Sequence, residues 1–131
     1  MTIVLPDREA LLQIHRMTLD RHGGAAGIRD GGALDAALAR PRQIEAYDDR
    51  ATLFDLTAAL VVSLTRHRHP FVDGNKRMGL IAAYVTLELN NFHLDATETD
   101  AHVALLGVAE GQMSETEFSD WLKRHAVAIT P

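Results

Sequence analysis

Two stretches of this chain are too apolar to lie on a surface. Around Ala58-Ala59-Leu60-Val61-Val62, and again from Met78 to Leu89, hydrophobic side chains run nearly all round a helical wheel. A helix with no polar face has to be buried on most sides. A chain of 131 residues is one domain's worth of material, so the two helices lie deep in the fold and the rest wraps them. Between them stand nine residues of mixed chemistry, His69-Pro70-Phe71-Val72-Asp73-Gly74-Asn75-Lys76-Arg77. They form a loop that runs straight into the second buried helix. A helix N-terminus presents free backbone N–H groups and the positive end of the macrodipole, which together make a phosphate site.

The remaining segments also read as helices. Asp7 to His22 places Ala10, Leu11, Ile14 and Met17 on an inward stripe, with Pro6 ahead of it and Gly23-Gly24 as the stop. Asp30 to Arg40 turns Leu34, Ala37 and Leu38 inward and is expected to end at Pro41, leaving Pro41 to Asp49 as an irregular connection. A third helix is predicted from about Arg50 to His67, and a fourth from about Asn75 to Asn90 in the centre of the fold. Phe92-His93-Leu94 reads as a short extended stretch. Thr97 caps a fifth helix to about Ala109. Ser114 with Glu117 forms a capping box for a sixth, which buries Phe118, Trp121 and Leu122. The predicted class is all-α, a compact single-domain bundle of about six helices over residues 1–131, with a buried central helix following the loop.

The chain has no cysteine, which leaves no disulfide framework or thiolate zinc site. Its N-terminus lacks the basic and apolar regions of a secretion signal, and no apolar run reaches about 18 residues. A reducing, cytoplasmic setting fits these features. The formal net charge of −5 argues against broad electrostatic binding to nucleic acid. Arg66, Arg68, Lys76 and Arg77 nevertheless form a basic cluster in sequence.

Within the loop several residues have two readings. His69 can take a proton from a hydroxyl near neutral pH, or can end the third helix as a cap. Asp73 is a hard oxygen ligand suited to Mg²⁺, or the N-cap of the fourth helix. Gly74 permits backbone that other residues resist and close approach to a ligand. Asn75 can orient a phosphate or a loop carbonyl. Lys76 and Arg77 add cations beside the helix start, as a solvated charge pair or in phosphate contact, for which Arg is well shaped. Phe71 anchors the loop in the core, and Pro70 fixes its exit.

Taken together, His69 to Arg77 resembles the signature of the Fic/Doc superfamily, His-x-Phe-x-Asp/Glu-Gly/Ala-Asn-Gly/Lys-Arg, at every defined position. The stretch from Arg29-Asp30 through Leu34, Ala37-Leu38-Ala39-Arg40-Pro41, with Gly23-Gly24 and Gly27 ahead of it, is similar to the N-terminal region of the death-on-curing (Doc) toxin branch. His15 fits that branch too. The resemblance spans residues 5 to 126. It implies transfer of part of ATP onto a protein hydroxyl, with His69 as the base, Asp73 holding Mg²⁺ and Gly74, Asn75, Lys76 and Arg77 as the anion cradle. In Fic proteins that transfer AMP, the place of Lys76 is glycine and that of Leu80 is a second arginine. Lysine is the Doc choice, and there ATP sits reversed and offers its γ-phosphate. Ile81 departs from an asparagine found in some Doc sequences, and His67 from an arginine.

The resemblance further implies a toxin of a toxin-antitoxin system, with elongation factor Tu as the target and translation arrest as the outcome. Self-inhibiting Fic proteins carry a Ser/Thr-x-x-x-Glu-Gly/Asn helix. Here Leu106 stands where that hydroxyl residue would precede Glu110-Gly111, so control by an antitoxin in trans is implied. Its disordered segment would fold into a groove, and the first and third helices are candidate sources of the apolar face. Rival readings are Fic-type AMP transfer, a helical ribonuclease using Arg16 and His22, a silent binding module, and a metal site on His67, His69 and Asp73.

Overall fold

In the computed structural model, which describes residues 2–129, each helix but one begins on a side chain that accepts from its own first turn. Asp7 caps α1 (Arg8–His22), Asp30 caps α2 (Gly31–Tyr47), Thr52 caps α3 (Leu53–Val62), Thr97 caps α5 (Glu98–Ala109) and Ser114 caps α6 (Glu115–His125). Such caps satisfy amides that the helix itself leaves without partners. The exception is α4 (Asn75–Leu89), which starts on Gly74 with no side-chain cap. Among the described residues the fold is all-α apart from one small ribbon.

Most predicted elements stand within a residue or two of their expected limits. The largest difference is α2, which passes through Pro41 and continues to Tyr47 where an irregular connection was expected. An interior proline removes one amide donor and crowds the preceding turn. Its burial offsets this, because Pro41 continues the inward stripe of Leu34 and Ala37, and Ile44 follows half-buried. Arg40 then fastens that region, donating to the Ala59 carbonyl at 3.2 Å and pairing with Glu115. In α1, Leu11 is buried as expected, but His15 and Thr18 complete the inward face and Met17 is 60% exposed.

The third helix begins later than predicted, at a capping box of Thr52 and Asp55. Burial alone would raise the Asp55 carboxyl. Hydrogen bonds from the Ser119 hydroxyl and from Thr52 outweigh that effect and hold it below the usual aspartate value. The helix then widens into a π-helical turn at Ser63–His67, where the sequence predicts ordinary helix. The Thr65 hydroxyl donates back to the Val61 carbonyl at 2.7 Å in this turn. Helix α4 crosses it at Gly79, where any Cβ would collide with the Thr65 methyl.

The extended stretch β1 (Phe92–Leu94) pairs antiparallel with β2 (Ala126–Ala128), Phe92 opposite Ala128 and Leu94 opposite Ala126. The pairing ties the segment after α6 to the end of α4. Two hydrophobic clusters fill the interior. One gathers Val62, Leu87, Leu105, Phe118, Trp121 and Leu122. The other gathers Leu11, Leu34, Leu64, Phe71, Met78 and Ala82. Helices α3 and α4 supply both, as their apolar circumference requires. Among the described residues no helix is long and apolar enough to cross a membrane.

Candidate active site

The loop between the π turn and α4 is fastened from behind by the α1–α2 connection. Phe71 forms a single antiparallel bridge with Ile28. Val72 N donates to Gly27 O at 3.1 Å, while Arg29 N and Asp30 N both donate to Pro70 O at 2.7 and 3.1 Å. Arg29 Nε adds a bond to the His69 carbonyl at 2.8 Å. The two sequence stretches that carry the resemblance therefore meet in space. Phe71 is fully buried and anchors the loop as predicted. Asn75 grips the peptide of Phe71, accepting from its N–H and donating to its carbonyl, each at 3.0 Å. Of its two predicted uses, the structure shows the loop carbonyl.

Gly74 lies at φ +81°, in the left-handed region that L side chains rarely adopt. Asp73 does not cap α4. Its Oδ1 accepts from Gly74 N at 2.8 Å and its Oδ2 lies 3.4 Å from Ala25 N. The space beside it exists because residue 24 is glycine, since a Cβ there would come within 2.8 Å of Asp73 Oδ2. In sequence Gly24 is part of a helix stop and of the stretch similar to the Doc branch, with nothing to link it to Asp73. The first amides of α4 have no intrahelical acceptor and no side-chain cap.

His69 ends the helical turn in the manner of the capping reading: its Nε2 lies 3.0 Å from the Thr65 carbonyl. A carbonyl only accepts, so Nε2 carries the proton and the neutral ring is left with its lone pair on Nδ1. Capping and base chemistry are thus compatible in one side chain. His69, Val72, Asp73, Gly74, Asn75, Lys76 and Arg77 line one cavity of about 340 Å³. Lys76 is exposed, and Arg77 reaches toward the Gly23 carbonyl at 3.5 Å.

The basic cluster seen in sequence is divided in space. Arg66 turns to the C-terminal end of α5, donating to the carbonyls of Val108 and Met113, a favourable place for a cation. His67 and Arg68 line a separate cavity with Arg40, Gln43 and Ser63. No three His or acidic side chains converge as a metal cage among the described residues, so His67, His69 and Asp73 are not brought together as ligands. Asp73 is a lone carboxylate beside the uncapped start of α4, a donor set that fits Mg²⁺, because that ion can take much of its coordination from phosphate and water.

A model of the Fic/DOC family matches residues 5–87, more than half of the chain. The chain belongs to the Fic/DOC family. The family match runs from the start of α1 through nearly all of α4 and so contains the loop and its fastenings. Protein kinase doc of Escherichia phage P1 is 31% identical over 116 residues, covering 88% of this chain and 90% of the relative. Toxin Doc of Mycolicibacterium smegmatis is 42% identical over 91 residues, 69% of this chain and 67% of that relative.

Proposed function

We propose that this Fic/DOC protein is a Doc-like toxin that transfers the γ-phosphoryl group of ATP to a hydroxyl of a protein. One observation carries the reading. The only described α-helix without a side-chain cap is the one that starts at the motif loop, and its first residues, Asn75, Lys76 and Arg77, line a cavity together with His69 and Asp73. Lys76 and Arg77 add positive charge beside the phosphate seat. Asp73 would hold Mg²⁺, which when bound neutralises phosphate charge. His69 Nδ1 takes the proton of the target hydroxyl as its oxygen bonds to the γ-phosphorus and the bond to the ADP oxygen breaks. Most of the catalysis in such a transfer is positioning and charge stabilisation, which a rigidly fastened loop supplies.

The relatives named for Doc support the toxin assignment. By the resemblance, the target is elongation factor Tu, and the partner is an antitoxin whose disordered segment folds on binding. Helix α3 is buried from Leu56 to Val62 and has no face to offer such a segment. Ile14 and Met17 of α1, with Ile81 of α4, line an open, largely apolar cavity of about 490 Å³ that suits the antitoxin better.

The test is isotopic. With Mg²⁺ and the target protein, label should pass from γ-³²P-ATP and not from α-³²P-ATP. Label from the α position alone would move the assignment to AMP transfer. Label from neither would remove the enzymatic reading.

A further inference from the structure

His15 is 3% exposed, lies in the first helix, and touches the motif loop 58 residues away. Its ring stacks on Phe71 with centroids 4.1 Å apart and planes 20° from parallel. Its Nε2 lies 2.9 Å from the Asp73 carbonyl oxygen, and because that oxygen only accepts, Nε2 is the donor. The carbonyl belongs to the peptide that joins Asp73 to Gly74. A trans peptide is planar, with its oxygen and its N–H pointing opposite ways. Fixing the oxygen toward His15 therefore aims the Gly74 N–H away from the interior, and there it meets Asp73 Oδ1 at 2.8 Å.

Gly74 cannot hold that orientation by itself. Turning the peptide over would carry its φ from +81° to a negative value, and glycine accepts either sign. The same glycine that allows the cradle conformation leaves it free to flip; within the loop the Asp73 carboxylate holds only the N–H side of this peptide, and the bond to its oxygen comes from outside the loop. We infer that His15 is a positioning residue that locks the Asp73–Gly74 peptide, and through it the direction of the Asp73 carboxylate and the first amide of the cradle. The inference deepens the proposed phosphotransfer and rests on it for its catalytic consequence.

Two variants separate the ring's parts. His15→Phe keeps a ring against Phe71 and removes the donor. His15→Gln gives up the stack and returns an N–H at similar reach. In ¹⁵N-labelled protein, the Gly74 amide of His15→Phe should shift and exchange faster, while that of His15→Gln should stay near wild type. In the transfer assay, His15→Phe should need about tenfold more Mg²⁺ or greater for half-maximal rate, the scale seen when a partner orienting a metal ligand is lost. Its KM for the protein target should not change, and His15→Gln should recover most of the loss. Wild-type Mg²⁺ demand together with a wild-type Gly74 amide in folded His15→Phe would overturn the assignment. If His15→Phe does not fold, His15→Gln decides alone: a displaced Gly74 amide in that variant overturns the lock. If wild-type protein transfers no phosphate, the proposed function falls, and the amide comparison still decides what His15 does.

Discussion

In the proposed reaction His69 does two things with one ring. Its protonated Nε2 closes on the Thr65 carbonyl, so Nδ1 is the nitrogen left to take a proton. Replacing it with alanine removes the base while leaving the buried anchor Phe71 and the Asn75 clamp in place. His69→Ala should lower kcat by about 10²–10⁴-fold, the usual worth of a general base, with ATP affinity and melting temperature near wild type. Retained kcat in single-turnover phosphorylation would show that the proton goes elsewhere. The loop stands out in sequence because its chemistry is local: His, Asp, Gly and the two cations lie within nine positions. Partners distant in sequence were not legible. Nothing in the string couples Arg66 to the carbonyls of Val108 and Met113, and His15 stands out in sequence only through the likeness to the Doc branch, with nothing to link it to Asp73.

Helix limits were legible wherever a cap stood next to a hydrophobic stripe, as at Thr97 and Ser114. They failed where two rules conflicted. Proline at 41 signals a stop, yet the apolar stripe continues beneath it, and burial prevailed. At the third helix the Thr52 and Asp55 box sets the start, its cap two residues beyond the Arg50 that the sequence suggests. The β2 strand is three residues long and exists only because β1 pairs with it. The π turn has no local signature, and its clearest trace is Gly79 on another helix. Gly79→Ala would drive a methyl into Thr65, forcing α4 off the turn at a cost of about 1–3 kcal/mol for overpacking. Thr65→Ser removes the obstructing methyl and keeps the hydroxyl bonded to Val61. The double variant should therefore be more stable in urea than the sum of the two singles predicts. Strict additivity would mean that the helices separate there without strain.

Across the whole molecule, α3 and α4 belong to both hydrophobic clusters, so neither cluster can come apart without disturbing the other. Trp121 is the single tryptophan and reports on the cluster away from the loop. Leu34→Ala, in the loop-side cluster, should cost about 2–5 kcal/mol. It should shift the Trp121 fluorescence transition and the far-UV dichroism transition by the same amount, as an all-or-none unfolding requires. Separate transitions would mean that the two clusters melt independently. The all-helical class was legible from periodicity alone, because the two circumferentially apolar helices leave no other way to bury them.

The widened turn between Val62 and Arg68 also has a hereditary side. A residue wound into a helix in excess of its normal count sets an angular offset for all that follows, about 100° for each residue gained or lost. A lineage that lost one codon there could keep every letter of the nine-residue motif and still aim its imidazole at the wrong wall. Spelling alone would not reveal the lesion.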